Sequence, residues 1–175
     1  MPLSASGRQQ AYILAEAFAD IELNSVFCSP LLRTRQTAEA ILSLQTNPAE
    51  IEIADFLREI DYGPDENQPE ETVLARIGQD AMSAWETMAT PPPDWLVDPT
   101  KIISDWARFF ETINHSPNQN VLVMTSNGIA RFVLDVVDKI PNDAPRKLKT
   151  GAFGVVEKSS QGTLNILNWN ERPSS

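Results

Sequence analysis

The sequence predicts an α/β fold, a three-layer sandwich in which helices flank a mostly parallel sheet. Two short apolar runs, at 26–28 and 121–124, indicate buried strands, and a helical pattern follows each of them. Strands that alternate with helices are typical of parallel sheets, because parallel neighbours need long crossover connections. Ligands of such sheets bind beyond the carboxyl ends of the strands. We therefore expect the residues that follow 28 and 124 to face one crevice.

The first third of the chain predicts a helix, a strand and a second helix. Ser4 or Ser6 is placed to cap a helix that runs to about residue 20. In the second helix, Ser29 is the predicted N-cap and Pro30 the first helical residue, where its missing N–H costs nothing. Arg33 lies in the first turn of this helix. A cation there opposes the helix dipole, which suggests that Arg33 binds an anion.

The middle of the chain predicts a short strand, a polar loop and two helices. The alternating segment 51–53 indicates the strand, and the segment 55–68, which contains glycine, proline and several acids, indicates the loop. Apolar residues recur with helical spacing over 70–88 and again from Pro99 onwards. The proline-rich segment 90–94 is interpreted as a surface loop between these helices.

The last third predicts a strand, a helix and a closing hairpin. The continuous apolar run 121–124 is typical of a strand that is covered on both faces. Helical spacing then extends from residue 129 to residue 140. Segments 152–157 and 163–168 predict the two strands of a hairpin.

Composition limits the classes of partner and compartment. The formal net charge of −10 argues against nucleic acids and anionic membranes as partners. The single cysteine, Cys28, cannot form an intramolecular disulfide, so we predict a cytoplasmic protein with a small buried thiol. No cluster has the spacing of metal ligands, and we predict neither a metal nor a cofactor. A chain of 175 residues predicts one domain over 1–175.

Five loose motifs occur together in this sequence, and their order is more specific than any one of them. In chain order they lie at 3–11, 29–38, 57–63 and 121–128, with 150–151 and 168–170 forming the last. The second of these is Ser-Pro-Leu-x-Arg-x-x-Gln-Thr-Ala. Together they resemble the histidine phosphatase superfamily, whose fold is like that of phosphoglycerate mutase. The resemblance covers nearly the whole chain and implies phosphoryl-transfer chemistry.

The resemblance also implies roles for particular residues. In the family, a histidine in an Arg-His-Gly motif attacks the phosphoryl group, and a second histidine and two arginines stabilise it while a carboxyl group protonates the leaving oxygen. Arg33 matches the phosphate-binding arginine and Glu59 the proton donor. Ser126 stands at the position of the second histidine, and Asn127 replaces the next glycine. We predict that the Ser126 hydroxyl and the N–H groups of Asn127 and Gly128 bind an oxyanion.

The strand that carries Arg-His-Gly in the family is missing from this sequence. By the resemblance it lies at the centre of the sheet, beside the strand 121–124, where its loss leaves backbone groups unpaired. One explanation is a true start further upstream that restores the motif. The other is a shortened relative that rearranges, or that borrows a strand from a partner, which makes a homo-oligomer a candidate.

Simpler interpretations of the same residues remain open. Arg33 is also consistent with an exposed helix arginine, Ser126 with a plain N-cap and Arg131 with a surface residue. His115, the only histidine, falls in a predicted loop and is interpreted as solvated. A serine hydrolase is excluded, because Met124 stands where the nucleophile motif needs glycine and no histidine follows Ser126.

We predict a protein of phosphoryl-transfer lineage, a phosphatase rather than a mutase, because the chain is too short for the insertions that enclose a sugar phosphate. The expected ligand is a phosphorylated small molecule or inorganic phosphate. We predict that the chain as given is inactive, because it has no histidine placed for the family mechanism. The alternative is a non-catalytic phosphate-binding, anion-binding or interaction protein on the same fold.

Overall fold

The computed structural model describes residues 1–113 and 119–173, so the interpretation of His115 as a solvated loop residue lies outside the described part. The helices are α1 (Ala5–Phe18), α2 (Leu32–Leu42), α3 (Glu70–Met88), α4 (Pro99–Thr112) and α5 (Asn127–Ala130). The strands are β1 (Ser25–Cys28), β2 (Ile51–Ile53), β3 (Val121–Met124), β4 (Phe153–Lys158) and β5 (Leu164–Glu171). Within the described ranges, no helix combines the length and apolar character needed to cross a bilayer.

The sheet is built around β1, which pairs in parallel with β2 on one side and β3 on the other. Val26 lies opposite Ile51 in β2 and opposite Leu122 in β3. The hairpin of β4 and β5 is antiparallel and forms a separate two-stranded sheet. The predicted mixed architecture with a parallel sheet is therefore confirmed.

The residues of β1 alternate between two apolar layers. Val26 and Cys28 are buried against α1 and α2, whereas Phe27 packs against the larger cluster that includes α3 and α4. The alternation follows from the two-residue period of a strand, which directs successive side chains to opposite faces. The larger layer contains Trp106 and Phe109, whose ring centroids are 5.8 Å apart. Cys28 is fully buried, as predicted.

β3 is less covered than its sequence predicted. All four of its residues are only half-buried, although a continuous apolar run is typical of strands covered on both faces. The reason is its position, because within the described part of the chain β3 pairs with β1 alone and lies at the edge of the three-stranded sheet. This arrangement agrees with the predicted gap beside the strand 121–124.

The start of α1 was predicted correctly, but that of α2 was not. The Ser4 side chain accepts a hydrogen bond from the N–H of Gly7 at 3.1 Å and caps α1. In α2, the N-cap position is Leu31, and Ser29 is fully buried outside the helix. The N–H of Ser29 donates to the carbonyl of Met124 at 2.8 Å. The chain therefore continues its pairing with β3 through Ser29 and becomes helical only afterwards.

The helix predicted over 129–140 is much shorter. After α5, a 3₁₀ helix runs over Arg131–Asp135 and ends there. The N–H of Asp138 donates to the carbonyl of Leu164 at 2.8 Å, and the carbonyl of Lys139 accepts from Ile166 at 2.9 Å. The backbone leaves the helix because it pairs with the first residues of β5, a long-range contact that helical periodicity does not reveal.

The short 3₁₀ helix at Asp55–Leu57 provides a test of the core. Leu57 is fully buried, whereas Ile53 is 47% exposed. We expect Leu57→Ala to lower the free energy of unfolding by about 2–5 kcal/mol, because it removes buried methyl groups and leaves a cavity. Ile53→Ala, as the matched control, should change it by less than about 0.5 kcal/mol. Urea unfolding followed by circular dichroism measures both, and equal effects would contradict this packing.

Candidate functional site

The ends of β1 and β3 meet at one crevice, as the parallel pairing predicts. Arg33, in the first turn of α2, donates to the Ser126 hydroxyl with an Nη2–Oγ distance of 3.4 Å. The two residues are 93 positions apart in the chain. The neighbouring Thr125 hydroxyl donates to the carbonyl of Leu57 at 2.8 Å and ties the segment that precedes Glu59 to the end of β3. The structure thus brings three of the predicted site residues into one region.

Glu59 faces Arg33 across this crevice. The Arg33 Nη2 lies 3.8 Å from the Glu59 Oε2, and the Glu59 side chain is only 18% exposed. Its other oxygen, Oε1, accepts a hydrogen bond from the N–H of Ile60 at 3.1 Å. Burial raises the pKa of Glu59, and this effect outweighs the opposing influence of the Ile60 N–H, Arg33 and Ser126. A carboxyl group with a raised pKa is suited to donate a proton near neutral pH.

Ser126 and Gly128 lie in contact with the side chains of Arg33 and Glu59, respectively. Ser126 is buried and occupies the N-cap position of α5, but its side chain makes no capping hydrogen bond. Its hydroxyl is directed to Arg33 instead, so the interpretation of Ser126 as a plain N-cap does not describe it. The backbone of Gly128 lies against Glu59, and any Cβ at this position would collide with the Glu59 Oε1. A larger residue there would displace the carboxyl group.

The side chain of Asn127 connects the turn that follows β3 to a distant segment of the chain. Its side-chain Oδ1 accepts a hydrogen bond from the N–H of Leu148 at 2.9 Å. This contact attaches the segment between α5 and β4 to the turn that follows β3. The side chain of Asn127 is therefore engaged with the protein itself, and the part predicted to bind an anion is the backbone N–H.

A cavity of about 400 Å³ opens beside these residues. Its lining includes Arg33, Glu59 and Asn127, together with residues of α3 and of the loop that follows Glu59. Among the described residues, no three histidine, cysteine or acidic side chains are grouped as a metal ion requires. The arrangement combines a partly exposed guanidinium with a buried carboxyl group, which equips it to bind an anion and to donate a proton.

The open interpretation of Arg131 as a surface residue is wrong. The residue is 1% exposed. Its Nη1 donates to the carbonyl of Trp85 at 2.6 Å, and its guanidinium carbon lies 3.8 Å from the centre of the Trp85 ring. Burial lowers the pKa of Arg131 to about 10. Arg131 also lines the cavity, so sequence reasoning missed a cation of the site. Its position one helical turn after Gly128 is the sequence feature that could have indicated a place near the candidate site.

The loop 55–68 is more ordered than predicted, because an ion pair anchors it. Asp65 lies in a second 3₁₀ helix, Gly63–Asp65, and its carboxylate is buried. Arg76 donates to it through Nε at 2.7 Å and also through Nη2, and Trp95 donates through Nε1 at 2.7 Å. The hydrogen bond from Arg76 holds the pKa of Asp65 below its ordinary value. The anchored loop forms one wall of the cavity.

The raised pKa of Glu59 predicts how stability depends on pH. Because the pKa of Glu59 is raised in the folded chain, the folded chain binds this proton more tightly than the unfolded chain does. The contribution of this proton to the free energy of unfolding is therefore complete below the ordinary carboxyl pKa and is lost as the pH rises through the raised pKa of the folded chain. We therefore expect Glu59→Gln to increase the free energy of unfolding at about pH 7 and to have little effect at about pH 4, where Glu59 is already protonated.

Urea unfolding at both pH values measures this difference. Glu52→Gln is the matched control, because Glu52 is exposed on β2, and it should have little effect at either pH. A loss of stability at pH 7 in Glu59→Gln would show that the contact with Arg33 outweighs burial.

Solved structures with this fold include several phosphatases. A mycobacterial glucosyl-3-phosphoglycerate phosphatase superimposes with a TM-score of 0.79 at 15% identity, over 98% of this chain and 89% of that one. The alpha-ribazole phosphatase from Shigella flexneri superimposes with a TM-score of 0.67 at 21% identity, over 99% of this chain and 87% of that one. At these identities the likeness establishes the fold.

Curated proteins match over a shorter segment. Fructose-2,6-bisphosphatase TIGAR B of Danio rerio is 39% identical over 72 residues, which is 40% of this chain and 28% of that protein. An uncharacterised protein of Mycobacterium tuberculosis is 40% identical over 67 residues, 35% of this chain and 33% of that protein. These matches span about a third of each relative's length. The model of the histidine phosphatase superfamily (branch 1) matches residues 1–172. The chain therefore belongs to the histidine phosphatase superfamily.

Proposed function

We propose that this protein binds phosphate monoesters or inorganic phosphate in the cavity beside Arg33, and that Arg33, Ser126, Asn127 and Gly128 hold the phosphate. The observation that carries the proposal is the convergence of Arg33, Ser126 and Glu59 at the ends of two parallel strands. A guanidinium fork recognises phosphate oxygens with two parallel hydrogen bonds. The side chain of Arg33 is 38% exposed, which leaves it free to receive a ligand.

The structural neighbours support phosphate as the ligand. The mycobacterial glucosyl-3-phosphoglycerate phosphatase was also solved as complexes with inorganic phosphate and with VO3. Both complexes share the fold of this chain, with TM-scores of 0.77 and 0.76. In this chain, the partly exposed Arg33 is the group that would contact the phosphate.

We further propose that the chain as given binds phosphate without turning it over. The family mechanism needs a histidine that accepts the phosphoryl group, and Ser126 stands where the second family histidine is expected. A serine hydroxyl is a weak nucleophile unless an adjacent base activates it. The described part of the chain contains no histidine, and Glu59, with its raised pKa, is suited to donate a proton rather than to remove one.

Arg33→Met tests the binding site. We expect the affinity for inorganic phosphate to fall about 10-fold or more, because a charge-assisted hydrogen bond contributes roughly 1.5–3 kcal/mol. Isothermal titration calorimetry with phosphate measures the affinity. Arg35→Met is the matched control, because Arg35 is two residues further along α2 and exposed. Equal phosphate affinity in both variants would contradict the proposed site.

The second candidate function is phosphatase activity in a protein whose sheet is complete. The favouring observation is β3, an edge strand of half-buried apolar residues. Unpaired strand edges attract further strands, and proteins usually cover or shorten them. We propose that an upstream segment of the natural protein, carrying the Arg-His-Gly motif, fills this edge and supplies the nucleophile, with Glu59 as the proton donor.

A chain extended upstream along its own coding sequence tests the second candidate. We expect the extended chain to hydrolyse a general phosphate monoester such as p-nitrophenyl phosphate, and the 175-residue chain to remain inactive. With phenyl phosphate, whose leaving group depends on protonation more than p-nitrophenolate does, Glu59→Gln in the extended chain should lower the rate by about 100-fold or more if Glu59 donates the proton. Turnover by the 175-residue chain that survives Arg33→Met would contradict both candidate functions.

A further inference from the structure

Arg131 is a buried cation without an acidic partner. It is 1% exposed, and none of the carboxylates in the described residues lies within 4.0 Å of its guanidinium. Buried charges are normally paired, because removing an ion from water costs several kcal/mol. Arg131 is held instead by two carbonyls, those of Trp85 and Asn127, and by the face of the Trp85 ring. These groups orient the side chain, and the charges of Glu59 and Glu86 act on it only from beyond ion-pair distance.

The other cations that line the cavity have partners. Arg33 lies 3.8 Å from Glu59, and Lys147 donates to Glu86 at 2.6 Å. Arg131 is thus the cation of the described lining whose positive charge has no ion pair. A guanidinium held in this way next to a cavity is a site where an anionic ligand would find a positive charge already oriented.

One nitrogen of Arg131, the Nη2, has no hydrogen-bond partner in the described part of the chain. The Nε donates to Asn127 at 3.4 Å and the Nη1 to Trp85 at 2.6 Å, whereas the Nη2 donates to no group of the described chain. Asn165 Oδ1 is the one side-chain polar atom of the described residues that is sealed from solvent without a partner. The Arg131 Nη2 is therefore not sealed, and the residue lines the cavity.

Tyr62 contributes a second unpaired group to the same cavity. Its ring packs edge-on against Trp95 with 4.7 Å between ring centres. Its hydroxyl makes no hydrogen bond within the described residues, and Tyr62 lines the cavity. Burial, and then the charge of Glu59, raise the pKa of Tyr62 well above its ordinary value. The hydroxyl therefore stays protonated and can donate a hydrogen bond to an anion.

We infer that Arg131 and Tyr62 bind the anionic ligand together with Arg33, as ligand-binding residues of the same cavity. The inference rests on the proposed function and extends it, because it assigns a second guanidinium to the phosphate ester. The cavity also presents Glu66 and Glu70, whose charges oppose a large polyanion. The ligand class is therefore a small phosphate ester, whose phosphoryl group or neighbouring acid group contacts Arg131.

The test measures the affinities of inorganic phosphate and of phosphoglycolate, which adds a carboxylate, for the unaltered chain and for Arg131→Met. We expect at least a 10-fold weaker affinity in the variant. A loss already seen with phosphate would assign Arg131 to the phosphoryl group, and a loss seen with phosphoglycolate alone would assign it to the second acid group. The inference would be overturned if phosphate and phosphoglycolate each bound Arg131→Met as tightly as they bind the unaltered chain.

Stability measurements separate binding from a structural role. In the unaltered chain, phosphoglycolate at a concentration near its dissociation constant should raise the Tm, and in Arg131→Met the same concentration should give a much smaller increase, whatever the Tm without ligand. A lower Tm with an undiminished increase would mean that Arg131 is merely structural and would overturn the inference. Arg108→Met is the control, because the Arg108 side chain is 70% exposed and does not line the cavity. It should keep the full increase.

Tyr62→Phe keeps the test decisive if Arg131→Met does not fold. This variant keeps the ring that packs on Trp95 and removes only the hydroxyl. We expect about a 3-fold to 10-fold weaker affinity for the anion, the effect of one hydrogen bond. Unchanged affinity would overturn the inference. If the unaltered chain does not bind phosphate, the proposed function itself is refuted. If the affinity falls in Arg33→Met but not in Arg131→Met or Tyr62→Phe, only the role of Arg131 and Tyr62 is refuted.

Discussion

The parallel pairing of β1 with both of its neighbours is the constraint on which the rest of this structure depends. It places the carboxyl ends of β1 and β3 side by side, and the residues that follow them form the candidate site. Extension of the pairing through Ser29 delays the start of α2, so that Arg33 reaches Ser126 from the first turn. The alternation of β1 side chains also divides the molecule into two apolar layers, one on each face. A loss of this pairing would remove the fold and the site together.

Electrostatics at the site depend on burial more than on ion pairing. Glu59 lies near Arg33, yet its pKa is raised because burial outweighs the attraction of the guanidinium. Arg131 shows the same balance with the opposite charge, since burial lowers its pKa to about 10. Both effects come from desolvation, which disfavours the charged form of either group. An anion that enters the cavity would favour the protonated form of both, because it repels the carboxylate and attracts the guanidinium.

Sequence and structure disagree most at residues whose partners are far away in the chain. The sequence is consistent with Arg131 as a surface residue of a helix, but Arg131 is buried against Trp85, 46 positions away in the chain. The helix predicted to continue to residue 140 ends early because the backbone near Asp138 pairs with β5. In each case a long-range contact replaces the local interaction that periodicity predicts.

The sequence by itself determined the alternation of strands and helices, the parallel sheet and the membership in the family, and it predicted Arg33, Glu59 and Ser126 as candidate site residues. These follow from local patterns and motifs, which need no knowledge of the partners. The tertiary structure decided that Arg131 faces the cavity, that burial raises the pKa of Glu59, and that β3 lies at an edge. Burial and edge exposure are properties of contacts between distant segments, and no local pattern in the chain encodes them.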